Sequence, residues 1–131
     1  MVFRLLLRKD GMDMANYIIE LLGGVDKFLS ALIVFMVLSY IAEILLVIVE
    51  EEKSSNVFLL KNMFKKVAIF IPVIVSNIIG TIIESNYAIR TTVILFYISN
   101  EGLAILKNIN RLGVPLPQTL VKILNQIGDR E

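Results

Sequence analysis

Three long apolar runs, Phe28–Val49, Val67–Ile83 and Ala88–Leu106, dominate a chain of only 131 residues. As helices rising about 1.5 Å per residue, the first would span about 33 Å and the second about 25 Å, against a hydrocarbon core of about 30 Å. The second run is only just long enough, and Met63 and Phe64 extend it if Lys65 and Lys66 snorkel towards lipid headgroups. With 56% hydrophobic residues and a mean hydropathy of +0.77, the chain has too little polar surface to cover three such runs in water. The expected fold is an all-α membrane protein with three transmembrane helices and short amphipathic N- and C-terminal helices.

The residue inventory argues against chemistry. His is absent, which removes the commonest general base and metal ligand, and Cys is absent, which removes thiolate sites and disulfides. There is no Gly-rich phosphate loop and no Ser nucleophile elbow. A net charge of +1 gives no electrostatic case for nucleic acid. The expectation is a non-enzyme with no catalytic residues, no cofactor and no metal. No removable signal is read at the N-terminus, because Leu5-Leu6-Leu7 is far shorter than a signal's apolar core.

The chain divides into an N-terminal interfacial segment (1–27), a first span (28–49), a basic loop (50–66), a second span (67–83), a third span (88–106) and an amphipathic tail (107–131). Ser54-Ser55-Asn56 reads as the turn of a polar loop over Glu50–Lys61, and Glu84–Tyr87 as a tight connection making spans two and three a hairpin. Pro72, one turn into span two, removes a backbone donor and predicts a kink. Basic residues set the orientation. Lys53, Lys61, Lys65 and Lys66 in the loop, with Lys107, Arg111, Lys122 and Arg130 in the tail, place both on the cytoplasmic side and the N-terminus outside. Arg4, Arg8, Lys9 and Lys27 oppose this, four against eight. An internal start at Met12 or Met14, preceded by Lys9-Asp10-Gly11, would remove three of those four; a single start at Met1 is the simpler reading.

Each span carries an ordered polar edge. Arg90, Tyr97, Glu101 and Asn108 fall within about 20° of one line at 100° per residue, with Ala104 beside them. Span two aligns Val73, Asn77, Gly80 and Glu84, next to a Ser76-x-x-x-Gly80 patch. Span one has Ser39 and Glu43 one turn apart. A carboxylate costs about 2–3 kcal/mol or more deep in a lipid-facing helix, so Glu43 and Glu101 need partners, and Lys65 and Lys66 approach from the same side. Glu43, Asn77, Arg90, Tyr97, Asn100 and Glu101 are therefore the candidate polar contacts. Ser76, Gly80, Gly102 and Ala104 are candidates for close helix packing. These edges either pack one three-helix protomer or also join protomers and line an opening; oligomer contacts are the favoured expectation. Beyond Gly113-Val114-Pro115-Leu116-Pro117, Leu120, Ile123, Leu124 and Ile127 form an amphipathic stripe suited to the membrane surface or to other tails.

Tyr97-Ile-Ser-Asn-Glu-Gly-Leu-Ala-Ile-Leu-Lys-Asn followed by Gly113-Val-Pro-Leu-Pro resembles the C-terminal signature of the phage-lysis and toxin-secretion holin family. Ile89-Arg90-Thr91-Thr92, the Leu21–Gly24 lead, Met36-Val37-Leu38 and Lys65-Lys66 are also similar, so the likeness covers about Leu21–Ile127. Span one departs from it: Ser39-Tyr40-Ile41-Ala42-Glu43 stands where many members have Asp-Tyr-x-x-Gly, so the role of that Asp does not transfer. The resemblance implies no cofactor. It implies accumulation in the bacterial host's cytoplasmic membrane, homo-oligomerisation, and timed permeabilisation that lets an endolysin, or in related members a toxin, escape. The alternatives are a small proton-coupled transporter using Glu43, or an antiholin or adaptor subunit that is harmless alone.

Overall fold

The computed structural model describes residues 11–50, 55–85 and 87–128. Six helices follow one another: α1 (Gly11–Leu21), α2 (Lys27–Glu50), α3 (Ser55–Ala68), α4 (Phe70–Ile82), α5 (Ala88–Arg111) and α6 (Gln118–Gly128). There is no strand among the described residues. The proposed start region around Lys9 and Asp10, and Ser54 of the expected turn, lie outside them.

Helix α1 ends because Gly23 and Gly24 adopt φ of 90° and 89°. The Gly24 N–H bonds back to Ile19 O at 2.9 Å and the Gly23 N–H to Glu20 O at 3.0 Å, the paired bonds of a Schellman C-cap. Two residues later Asp26 starts α2, its Oδ1 accepting the Leu29 N–H at 2.9 Å.

Helices α3 and α4 are one rod with a lapse in its hydrogen-bond ladder. Pro72 has no N–H to give Ala68 O, and the break falls at Ile69, whose φ −60° and ψ −30° remain right-handed helical. The rod therefore begins well before Val67, at Ser55, and most of the stretch expected as a basic loop is helical. Lys61 and Lys65 are exposed along it while Leu59, Asn62 and Lys66 turn partly inward, so one side is basic without interrupting the helix. The hairpin between α4 and α5 is tight, with Glu84 and Tyr87 at φ of 54° and 67°.

Asp26 pairs with Arg90 near the starts of α2 and α5, and Glu50 pairs with Arg111 at their ends. The two helices are thus parallel, and the α3–α4 rod runs antiparallel to them. The core lies where they meet: Leu29, Leu32 and Met36 of α2, Val73 of α4, and Ile94 and Ile98 of α5. The outside of the bundle is equally apolar, with Val34, Val37, Ile48, Ile71 and Ile82 exposed. Lys27–Glu50, Asn56–Ile82 and Ala88–Arg111 are all long and apolar enough to cross a membrane.

After α5 the Gly113 N–H bonds Asn110 O and the Val114 N–H bonds Ile109 O, a second Schellman cap with Gly113 at φ 99°. The chain then folds α6 back against α5.

Candidate functional site

The polar side chains of the spans gather at two levels. At the start of α5, Arg90 is 1% exposed and donates to three neighbouring residues. Its Nε donates to Leu22 O at 2.6 Å, Nη2 to Gly24 O at 2.8 Å and Nη1 to Asp26 Oδ2 at 2.8 Å. Asn77 of α4 adds a bond from Nδ2 to Leu21 O at 3.0 Å. A helix C-terminus leaves carbonyls without partners and carries partial negative charge, so a buried guanidinium and an amide suit it. Together they fasten the α1–α2 junction to the hairpin. Gly23 permits the approach, since a Cβ there would collide with Arg90 Nε and stand 2.7 Å from Asn77 Oδ1. Burial opposes ionisation of Asp26, but hydrogen bonds from Arg90 and the Leu29 N–H, with the guanidinium charge, hold its carboxyl below the usual range.

Towards the other end, Lys66 of α3 reaches between two carboxylates. Its Nζ donates to Glu43 Oε1 at 2.9 Å and stands 3.5 Å from Glu101 Oε1. Glu43 and Glu101 are each 8% exposed. Near this level α6 docks on α5: Ser99 Oγ donates to Leu124 O at 2.7 Å, and Gly102 faces Leu124 and Phe35 with no room to spare.

Most residues singled out from the sequence therefore meet partners within the chain. Of the Arg90–Tyr97–Glu101–Asn108 line, Arg90 and Glu101 are buried and Tyr97 and Asn108 half-buried, so this edge of α5 faces the protein's own helices. Ser76 is buried with its hydroxyl turned back to Val73 O at 2.7 Å, and Gly80 is buried against the hairpin at Ser85. Ala104 is half-buried and Glu84 exposed. Asn100 differs. It is exposed in mid-helix, and its side chain makes no hydrogen bond among the described residues. It continues an α5 face that carries exposed Ala88 and Thr92 and half-buried Phe96.

Asp26, Ser99 and the Glu50–Arg111 pair were not singled out. Asp26 had a legible signal, an acidic residue just before a long apolar run, where N-caps sit. Ser99 and the terminal ion pair had none, because both depend on how distant elements come together.

Three long apolar helices with paired charges between them define a small helical membrane protein. A model of the bacteriophage holin family matches residues 16–129, and the chain belongs to that family. An uncharacterized Clostridium acetobutylicum protein is 32% identical over 121 residues, 90% of this chain and 92% of its own length. An uncharacterized Listeria monocytogenes protein is 35% identical over 104 residues, 79% and 74% of the two chains. A probable holin of Bacillus phage phi105 is 40% identical over 63 residues, 48% of this chain and 47% of the phage protein. No solved structure matches. Holins are not an enzyme family.

Proposed function

We propose that this protein is a holin that oligomerises in the bacterial cytoplasmic membrane and opens lesions through which an endolysin reaches the cell wall. Family membership over residues 16–129 carries the reading. The phage protein it resembles is itself named a probable holin. The three long apolar helices supply the spans.

The structure suggests how protomers recognise one another. An amide facing hydrocarbon lacks the hydrogen bonds it would have in water, and another copy supplies them. Asn100 is that amide, and Phe96, Thr92 and Ala88 continue its face towards the start of α5. Glu43, Asn77, Arg90 and Glu101 hold the protomer together first, and they meet other copies or water only when helices part inside an assembly. Lys61, Lys65, Lys107 and Arg111 gather towards one end of the bundle, which supports an arrangement with that end in the cytoplasm and α1 outside.

Induction in a bacterium with and without a co-expressed endolysin tests the function. The expected outcome is loss of membrane potential in both cultures and an abrupt fall in turbidity only with endolysin, delayed by Asn100→Leu. A culture that keeps its potential and density, with the protein verified in the membrane, contradicts the proposal.

A further inference from the structure

Glu43, Lys66 and Glu101 come from three different helices and place two carboxylates around one ammonium. Both glutamates are 8% exposed, and Glu43 Oε2 and Glu101 Oε1 are buried without a hydrogen-bond partner. Ser39, one turn before Glu43 on the same buried side of α2, is 0% exposed, and its hydroxyl also lacks a partner. Three of the four unpartnered buried side-chain atoms among the described residues thus belong to neighbouring turns of facing helices.

The charge count does not close. Lys66 offsets one carboxylate, and a second negative charge buried between apolar helices is costly without a cation of its own. Among the described residues the surrounding elements provide none. On α2, Tyr40 is half-buried and Glu50 is engaged with Arg111. On α3, Lys65 is exposed. On α5, Tyr97 is half-buried, Lys107 is exposed and Arg111 is taken by Glu50. Helix α4 has no ionisable residue, and Lys122 of α6 is exposed.

We propose that Glu43 and Glu101 form a binding site for a single proton, held between them beside Lys66. The proton comes from water and rests on a carboxylate oxygen, leaving one carboxyl, one carboxylate and one ammonium with no net charge. It also supplies a donor where the bare oxygens have none. Separation of α2, α3 and α5 would open the site further to water, so proton occupancy and helix separation are thermodynamically linked. The proposal is independent of whether the protein makes lesions.

Infrared spectroscopy of the full-length chain in liposomes, with carbon-13-labelled glutamate, tests it directly. At neutral pH in sodium-free buffer the wild type is expected to show one protonated glutamate carboxyl per chain. Glu43→Gln and Glu101→Gln should each lose that band, because Lys66 then balances the remaining carboxylate. Lys66→Met should double it. Asp26→Asn, remote from the site, should leave it unchanged. No protonated glutamate at neutral pH in the wild type overturns the proposal, and that arm needs no variant to fold. A band that survives in both Gln variants overturns it as well. So does a band that sodium abolishes at constant pH, which would make the ligand a metal cation.

Discussion

Gly23 and Gly24 share nearly the same backbone conformation, φ 90° and 89°, yet their surroundings differ completely. A Cβ on Gly24 meets nothing within 4 Å, whereas one on Gly23 strikes the Arg90 side chain. Gly24→Ala should therefore cost only the left-handed backbone penalty, about 1–2 kcal/mol. Gly23→Ala should cost more, because it also displaces the guanidinium from its carbonyls; denaturant titration in detergent distinguishes the two. Equal losses would mean that the Arg90 contacts contribute little. Arg90→Met strands Leu22 O and Gly24 O and should destabilise by about 2–3 kcal/mol, read in the same titration. The clamp also has an acid limit. The Asp26 carboxyl is held below its ordinary value in the folded state, so its contribution is complete above the unfolded value. It is lost as pH falls through the folded one, below about pH 4. The Asp26 side chain is 44% exposed, which keeps the effect modest. Hydrogen exchange of α1 amides should rise on acidification in the wild type and be insensitive to pH in Asp26→Asn, after correction for intrinsic rates.

Among the elements, α6 is the one whose place the sequence left open. Its stripe suits a membrane surface or a neighbouring tail, but Leu124 is 7% exposed because it seats against Gly102 of α5. Leu120 and Ile123 remain exposed, so only one edge of the stripe is used in the protomer. Even one added methyl at Gly102 would stand 3.0 Å from Leu124 Cδ2 and 3.1 Å from Phe35 Cε2. Gly102→Leu should lower exchange protection of α6 at least tenfold, about 1.4 kcal/mol, while α2 and the start of α5 keep theirs. Unchanged α6 protection would show that this contact does not hold the helix. The apolar runs were legible because hydropathy is a local property; the missing N–H of Pro72 accounts for the lapse in the ladder, where Ile69 keeps helical dihedrals. The start of α3 was hidden by Lys61, Lys65 and Lys66, which read as a loop until helical geometry puts Lys61 and Lys65 outside and turns Lys66 inward. Lys66 was legible as a partner for Glu43 and Glu101, since an intramembrane carboxylate asks for a cation at its own depth. Arg90 was legible as a polar contact but not its partners, because Asp26 and two backbone carbonyls reach it only through the Gly23–Gly24 turn.

For the molecule as a whole, the internal pairing changes what assembly has to explain. Aligned polar edges on membrane-crossing helices call for partners, and the fold satisfies most of those groups within one protomer. What it leaves on the outside is the Asn100 face of α5, on a bundle whose charges are tied at both ends by Asp26–Arg90 and Glu50–Arg111. Protomers should accumulate intact and then associate through that face, and the buried charges should become wet only late. The most direct measurement is release of an endolysin-sized labelled protein from sealed vesicles as the protein-to-lipid ratio is raised, with cross-linking in the same samples. Release that stays near zero and then rises steeply together with cross-linked oligomers, at a higher threshold for Asn100→Leu, is the predicted result. A chain that stays monomeric at every loading while the vesicles remain sealed would contradict the account.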